Sequence, residues 1–349
     1  MKKYAIAGVF AERTLTGVTR YAWEIMGQLD TLIKEKNIEI ELVVPEGVEV
    51  KEKYNNIKIV HYGKKKKFFW LNCSFVDYVK NNNAVGIHLG VNVPWIRPDI
   101  VCIYDVNSIA NPNFFSKYHY IKTKLEKKLA VKKGKQVFTI SKFSAEEIEK
   151  YIGGKSKNYP IIPCGWQHMD RITVKGDSKS KFGVEVGSYF FSMSSIAPTK
   201  NFKWVIEAAK QNKNQFFIIA GGTDPKSFGI NSLEEEVPNV KYVGRVSDED
   251  AKLLMRDCKA FIFPSYYEGF GIPPMEAFAC GAPEVIVSDI PVMHEVCGTS
   301  AHYINPFDYE NIDLSTIMKH ETDAPDQVLS KYSWRDSAQK LLNVLETVE

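Results

Sequence analysis

The stretch AFIFPSYYEGFGIPPMEA, residues 260–277, decides how the rest of the chain is read. An uninterrupted apolar run ends at Phe263, a loop bearing Gly269 and Gly271 follows, and Pro273 and Pro274 open a segment carrying Glu276. Continuous rather than alternating apolarity belongs to a strand buried on both faces. The prolines suit a first helical turn, where their missing N–H groups lose nothing. The unit is therefore strand, glycine loop, helix, one step of a parallel α/β sheet. Exposed N–H groups of such a loop and turn form a place for a phosphate. Glu268 and Glu276 flank that place, which is costly unless each has a hydroxylic partner such as a sugar or ribose. A polyol joined to a diphosphate satisfies both conditions; the plainer alternative is a strand-to-helix turn with two surface glutamates.

Working outward, the same grammar recurs along the chain. In the first half, strands are predicted at 4–10, 38–45, 56–62, 84–90, 99–105 and 136–141, with helices over 17–36 and 144–153. Residues 170–185, polar and rich in Gly, Ser and Lys, read as a linker. Strands are then predicted again at 188–194, 215–222, 240–245, 260–265 and 283–289. Strand–helix alternation in two rounds predicts two doubly wound, Rossmann-like α/β domains, with ligand in a cleft facing the carboxyl ends of both sheets. The amphipathic stretch from Trp334 to Val348 could close either domain.

A length of 349 residues agrees with two domains. With 44% hydrophobic and 25% charged residues, the composition excludes a disordered or collagenous chain. No apolar run approaches the roughly 18 residues that span a bilayer, and the opening MKKYAIAGVF is not built as a signal peptide, so a cytoplasmic location is expected. Six scattered cysteines without a CxxC pair read as reduced core thiols. Seven histidines form no ligand pattern, so neither metal nor other cofactor is expected. Charge is unevenly divided: residues 1–170 carry 27 Lys and Arg against 17 Asp and Glu, and the remainder 18 against 25.

The 260–277 segment resembles the Glu-x7-Glu signature of retaining glycosyltransferases of family four, which have the two-domain GT-B fold. Further stretches resemble that family in the same order. They are Leu15–Ala22, its N-terminal glycine loop; Phe138–Ser144; Ile161–Gly165, with cysteine where the family has asparagine; Ala197–Phe202, its donor-phosphate motif; and Tyr332–Trp334, which opens its C-terminal helix. The resemblance implies residues 1–168 as an acceptor-side domain, 169–185 as linker, 186–332 as the nucleotide-sugar domain, and 333–349 as a helix crossing back to the first domain.

It also implies roles. Glu276 would hold ribose hydroxyls, and Glu268 at the loop tip would face the donor sugar. The backbone of Gly269, Phe270 and Gly271 would bind sugar hydroxyls and phosphate. Lys200 would neutralise the departing diphosphate, and Gly17 would let the first loop approach it. Arginines that often accompany the motif lysine are replaced by Ser195 and Thr199, leaving Lys203, Arg245 or Arg20 as a second cation. Arg245 also lies where relatives recognise the base. His88 ends its strand where the family often places a histidine near the transferred sugar, or is a structural group. Asp105 resembles the aspartate of the family's His-Asp element, with Tyr104 replacing the histidine; it touches the acceptor or caps a loop. Ser141 caps its helix or binds phosphate.

Lys64–Lys67 against Phe68, Phe69 and Trp70, and the band from Lys122 to Lys135, read as a solvated face or as attraction to an anionic membrane surface. No nucleic-acid motif accompanies the charge. The reading is a metal-independent retaining hexosyltransferase. Its donor is a nucleoside diphosphate sugar, mannose or a deoxyhexose favoured, and its acceptor a saccharide or lipid-linked hydroxyl. Alternatives are another GT-B enzyme, such as a sugar phosphorylase or nucleotide-sugar epimerase, or a nucleotide-sugar-binding scaffold.

Overall fold

In a computed structural model the chain is described over residues 2–64, 66–90, 92–195, 197–221 and 237–348. It divides into two compact units: residues 1–165 with 333–349, and residues 166–332. The first holds β1 (Lys2–Ala7), β2 (Ile38–Val44), β3 (Lys58–His61), β4 (Val85–His88), β5 (Ile100–Cys102) and β6 (Gln136–Phe138). The second holds β7 (Tyr189–Met193), β8 (Phe216–Ala220), β9 (Val240–Gly244), β10 (Ala260–Phe263), β11 (Val285–Ser288) and β12 (His302–Ile304).

All pairings within both sheets are parallel, in the orders β3-β2-β1-β4-β5-β6 and β12-β11-β10-β7-β8-β9. Numbered within its own unit, the second order is the same as the first. Both are the strand order of dinucleotide-binding folds, which reverses direction between the first and fourth strands and opens a crevice there. The reversals lie at β1/β4 and at β7/β10.

Ten of the twelve strands lie within the sequence-predicted stretches and β1 starts two residues before its own; Gly222, which ends one predicted stretch, and Lys65 of the lysine run fall outside the described residues. The twelfth, β12, is three residues long and too short for a pattern to register. Over 4–10 the strand stops at Ala7 and Gly8–Glu12 turns as a 3-10 helix. A Cβ on Gly8 would lie 2.5 Å from Val44 Cγ1, so the chain leaves the sheet where only glycine fits beside β2. Residues 170–185 are not a free linker but part of the second unit. Lys252 Nζ holds the carbonyls of Met169 and Ile172, and Asp257 accepts from the Ser178 N–H. Asp177 and Ser180 form a capping box on the helix Ser178–Phe182.

Each unit is closed by amphipathic helices. Gly17–Leu32 begins with a Thr16/Thr19 capping box and buries Tyr21, Ala22, Ile25, Met26 and Leu29 along one face. Against it packs the C-terminal helix Trp334–Thr347, capped by Ser333. Trp334, Ala338, Leu341, Leu342 and Leu345 are fully buried, and the Trp334 ring meets Tyr21 at 5.8 Å. Each large apolar side chain so buried contributes about 1.5–3 kcal/mol. Tyr4 Oη donates to the Leu345 carbonyl, fastening the helix to β1. The last helix thus completes the first unit, although the chain reaches it only after building the second.

Five of the six cysteines are buried. Burial pushes the Cys280 and Cys297 thiols up to about 12, so both stay protonated. No helix among the described residues is long and apolar enough to cross a membrane.

Candidate active site

Two loops meet at the carboxyl edge of the second sheet, where β7 and β10 diverge. After β7 the chain forms a 3-10 turn, Pro198–Lys200, and then Asn201 adopts a left-handed conformation at φ 53°. Asparagine tolerates that region better than most residues. Its side chain donates to the Pro264 carbonyl at 3.0 Å and to the Pro306 carbonyl at 2.8 Å, while Tyr309 Oη donates to its Oδ1. The Tyr266 N–H adds a bond to the Thr199 carbonyl. Buried Asn201 therefore joins the turn after β7 to the loop after β10.

That junction brings Lys200 Nζ to 2.5 Å from Glu268 Oε1, with both side chains mostly shielded. Phe263, the last residue of β10, lies under the ammonium at 5.7 Å from ring centroid to Nζ. Beyond Glu268, Phe270 is buried edge-on to Tyr332 at 5.1 Å. Gly271 takes φ 95°, a backbone conformation that favours glycine, and a Cβ there would fall 2.4 Å from Met293 Cε, which would have to move aside. The helix Ile272–Cys280 starts at that residue with a proline in its first two positions, as predicted. Its N-terminal N–H groups and the cation of Lys200 are the two features at this edge that favour an anion.

Glu276 lies on this helix and is buried; His168 Nε2 stands 2.8 Å from its Oε1. Each glutamate thus has a protein partner that the sequence did not reveal, Glu268 a lysine and Glu276 a histidine. Among the candidates for a second cation, Lys203 Nζ packs over the Tyr309 ring at 4.6 Å. Arg245 is exposed just past β9. A surface hollow bounded by Ser188, Gln215, Phe216, Asn239 and Lys241 lies at the opposite, amino end of the same sheet, away from this chemistry.

In the first unit, Gly17 and His88 both belong to the β1/β4 reversal. Gly17 is the exposed first residue of the helix that follows β1. His88 ends β4, is 2% exposed, and meets the Phe75 ring edge-on at 5.3 Å. Neither of its ring nitrogens has a hydrogen-bond partner among the described residues. Burial pushes its pKa down to about 3, the Arg97 backbone acting the other way, so the imidazole is neutral at physiological pH. Asp105 Oδ1 accepts from the Asn107 N–H at 2.9 Å, which is the loop-capping alternative, and its carbonyl accepts from Lys127. Tyr104, in the place of the expected histidine, turns its hydroxyl to the Leu89 carbonyl at 2.6 Å. Ser141 caps its helix through the Ser144 N–H.

Two residues with a part in this geometry escaped the sequence reading. Asn201 stood in the quoted donor-phosphate motif without a role, although a left-handed asparagine before a helix was a local signal. His168 had none, because 108 residues separate it from Glu276.

Two six-stranded parallel sheets of identical order in one chain define the GT-B fold. Solved structures agree over almost the full length. Anabaena Alr3699/HepE in complex with UDP-glucose superposes with a TM-score of 0.71 at 16% identity, covering 99% of this chain and 100% of that one. Sucrose-phosphate synthase from Thermosynechococcus elongatus gives 0.70 at 14% identity, covering 100% and 95%. Residues 177–305, which include Lys200, Glu268 and Glu276, match the family model described as glycosyl transferases group 1. O-antigen chain mannosyltransferase RfbU of Salmonella typhimurium is 30% identical over 240 residues, or 68% of this chain. The match spans 64% of that relative, a little under two thirds of its length. The chain resembles the group 1 glycosyltransferases in sequence, most directly over residues 177–305, and shares the GT-B fold.

Proposed function

We propose that this chain is a retaining hexosyltransferase of polysaccharide assembly. It moves a hexose, mannose being favoured by the similarity to RfbU, from a nucleoside diphosphate sugar to a hydroxyl of a saccharide or lipid-linked acceptor. The observation that carries the reading is the Lys200–Glu268 pair, set beside the glycine-started helix at the β7/β10 reversal. Lys200 and the N–H groups near Gly269, Phe270 and Gly271 receive the diphosphate, so charge on the leaving group develops against a fixed cation. Such preorganised charge is usually the largest single catalytic contribution. With Lys200 in that place, the reaction calls on no metal.

In the step itself the acceptor oxygen bonds to the anomeric carbon as the bond from that carbon to the phosphate oxygen breaks, both on one face. The departing diphosphate oxygen takes the acceptor proton, and the configuration is kept. Glu268 orients the sugar, and Glu276 grips the ribose. On the first unit, Gly17 is assigned to the diphosphate, His88 to the transferred sugar as a neutral hydrogen-bonding group, and Asp105 to the acceptor side. Arg245 is assigned to the base. The acceptor's lipid would bring the enzyme to an anionic membrane surface on the cytoplasmic side.

The test is thermal melting with UDP, GDP, dTDP and ADP in EDTA and then in magnesium, followed by NMR of the product's anomeric proton. One nucleotide that raises Tm in EDTA, and a product of unchanged configuration, are expected; ligand bound to the folded state alone must stabilise it. Four nucleotides without effect in either buffer would overturn the reading.

A further inference from the structure

The two lysine-rich stretches that stand apart in the sequence are joined in the first unit. Their link is Trp95. Its ring meets Phe68 edge-on at 5.5 Å, and its Nε1 donates to Glu126 Oε1 at 3.2 Å on the helix Lys117–Lys133. Buried Asn72 fastens the same junction. Its Nδ2 donates to the Phe68 carbonyl at 3.0 Å, and its Oδ1 accepts from the N–H groups of Trp95 and Ile96. Trp70 is fully buried and donates to the Tyr62 carbonyl, anchoring the aromatic stretch from beneath.

On this scaffold large apolar side chains face water. Phe69 is 66% exposed, and along the helix Tyr118, Ile121 and Leu125 are 76%, 63% and 41% exposed. Their spacing of three and four residues makes one stripe, which exposed Lys128 and Lys132 continue at the same spacing. A solvated helix face ordinarily carries polar residues in that stripe, so single-residue chance is a poor account of three apolar positions in register.

The charge has one sign. Residues 64–70 contain no carboxylate, and the helix contains only Glu126, which is 4% exposed and held by Lys122 at 2.9 Å. Lys127 is turned inward to the Asp105 carbonyl and takes no part. What remains is a row of outward lysines beside protruding aromatic and aliphatic tips. An acidic protein would complement the lysines but not the tips, whereas an anionic bilayer offers a plane of phosphate above an apolar layer and complements both.

We infer that this composite face of the first unit docks on an anionic lipid bilayer, with Phe69, Ile121 and Leu125 entering the interface and the lysines lying in the headgroup plane. The inference rests on the proposed function for its purpose, since a lipid-linked acceptor lies at a membrane, but its test needs no turnover.

The test is flotation of the full chain with vesicles of phosphatidylcholine alone and of phosphatidylcholine mixed with phosphatidylglycerol. Binding to the anionic vesicles alone, weakening with salt, is expected. Ile121→Ser with Leu125→Ser should lower it tenfold or more, and Lys128→Glu should lower it about fivefold. The thermal shift given by nucleoside diphosphate should be unchanged in both, which also verifies that the variants fold. If the nucleotide shift fails while vesicle binding persists, the glycosyltransferase reading falls and the docking face stands. No binding to anionic vesicles, equal binding to neutral ones, or binding untouched by the serine pair would overturn the proposal. So would self-association that the serine pair abolishes, which would give the face to a second copy of the chain.

Discussion

Lys200 Nζ and Glu268 Oε1 stand 2.5 Å apart across 68 residues of chain, so the cation assigned to the diphosphate and the carboxylate assigned to the sugar already neutralise each other. A nucleotide sugar entering this edge would replace one ion pair by two interactions, phosphate on lysine and sugar hydroxyl on glutamate. The pair holds both groups in place before the donor arrives, because neither side chain is well exposed and each would be costly to leave alone there.

Glu268→Gln separates the two roles. The lysine is released from its carboxylate, so nucleoside diphosphate without sugar should bind as tightly or more tightly than to the parent, while transfer from the full donor should fall by about a hundredfold, the order of one lost preorganised contact. Calorimetry with the diphosphate and rate assays with the donor check this. A variant that loses diphosphate affinity would show that Glu268 does not compete for Lys200.

Asn201→Ala should cost about 2–4 kcal/mol of stability in urea. It leaves the carbonyls of Pro264 and Pro306 without their donor and puts a Cβ-bearing residue of poor left-handed tolerance at φ 53°. Asn201→Gly should recover part of that by relieving the backbone, but not the hydrogen bonds. A glycine variant as stable as the parent would mean that the two carbonyl bonds contribute nothing.

His168→Ala removes from a buried carboxylate the ring nitrogen that stands 2.8 Å from it. Glu276 is assigned to the ribose, so donor KM should rise about tenfold with kcat little changed, and His168→Gln, which can still donate, should recover most of the loss. Steady-state kinetics on the two variants decide; equal falls in kcat for both would argue for a general structural loss.

His88 makes acid stability testable. The unfolded imidazole takes up a proton near 6.5, whereas burial keeps the folded one neutral down to about 3. Stability is therefore fully present above 6.5 and declines as pH falls through that window, by about 2 kcal/mol between pH 7 and pH 5 from this residue alone. His88→Leu should flatten the difference between urea midpoints at those two pH values by that amount, whatever it does at pH 7. An unchanged difference would mean that His88 protonates without unfolding the chain.

Much of this protein is legible from neighbours in sequence. Strands such as AFIF and FFIIA are unbroken apolar runs, helix starts carry Thr16, Ser141, Asp177 and Ser247 as caps, and the glycine at 271 precedes a proline-marked helix. These are local signals, because a cap or a buried strand depends on residues within one or two turns of chain. Two doubly wound sheets follow from them, and so does the glycine loop between Glu268 and Glu276.

Partners across the chain were not legible. That Glu276 meets His168, that Asn201 joins two loops, that 170–185 packs into the second unit, and that Trp95 touches both lysine-rich stretches are all contacts between segments distant in sequence. Residue order states which groups are present, but parallel strands are joined by long crossovers, so strand order alone decides which loops share an edge. Here the amino-acid sequence by itself determined the elements and the chemistry available at their ends. The tertiary structure decided which charges face one another, because that pairing is made where β7 and β10 lie side by side and nowhere along the chain.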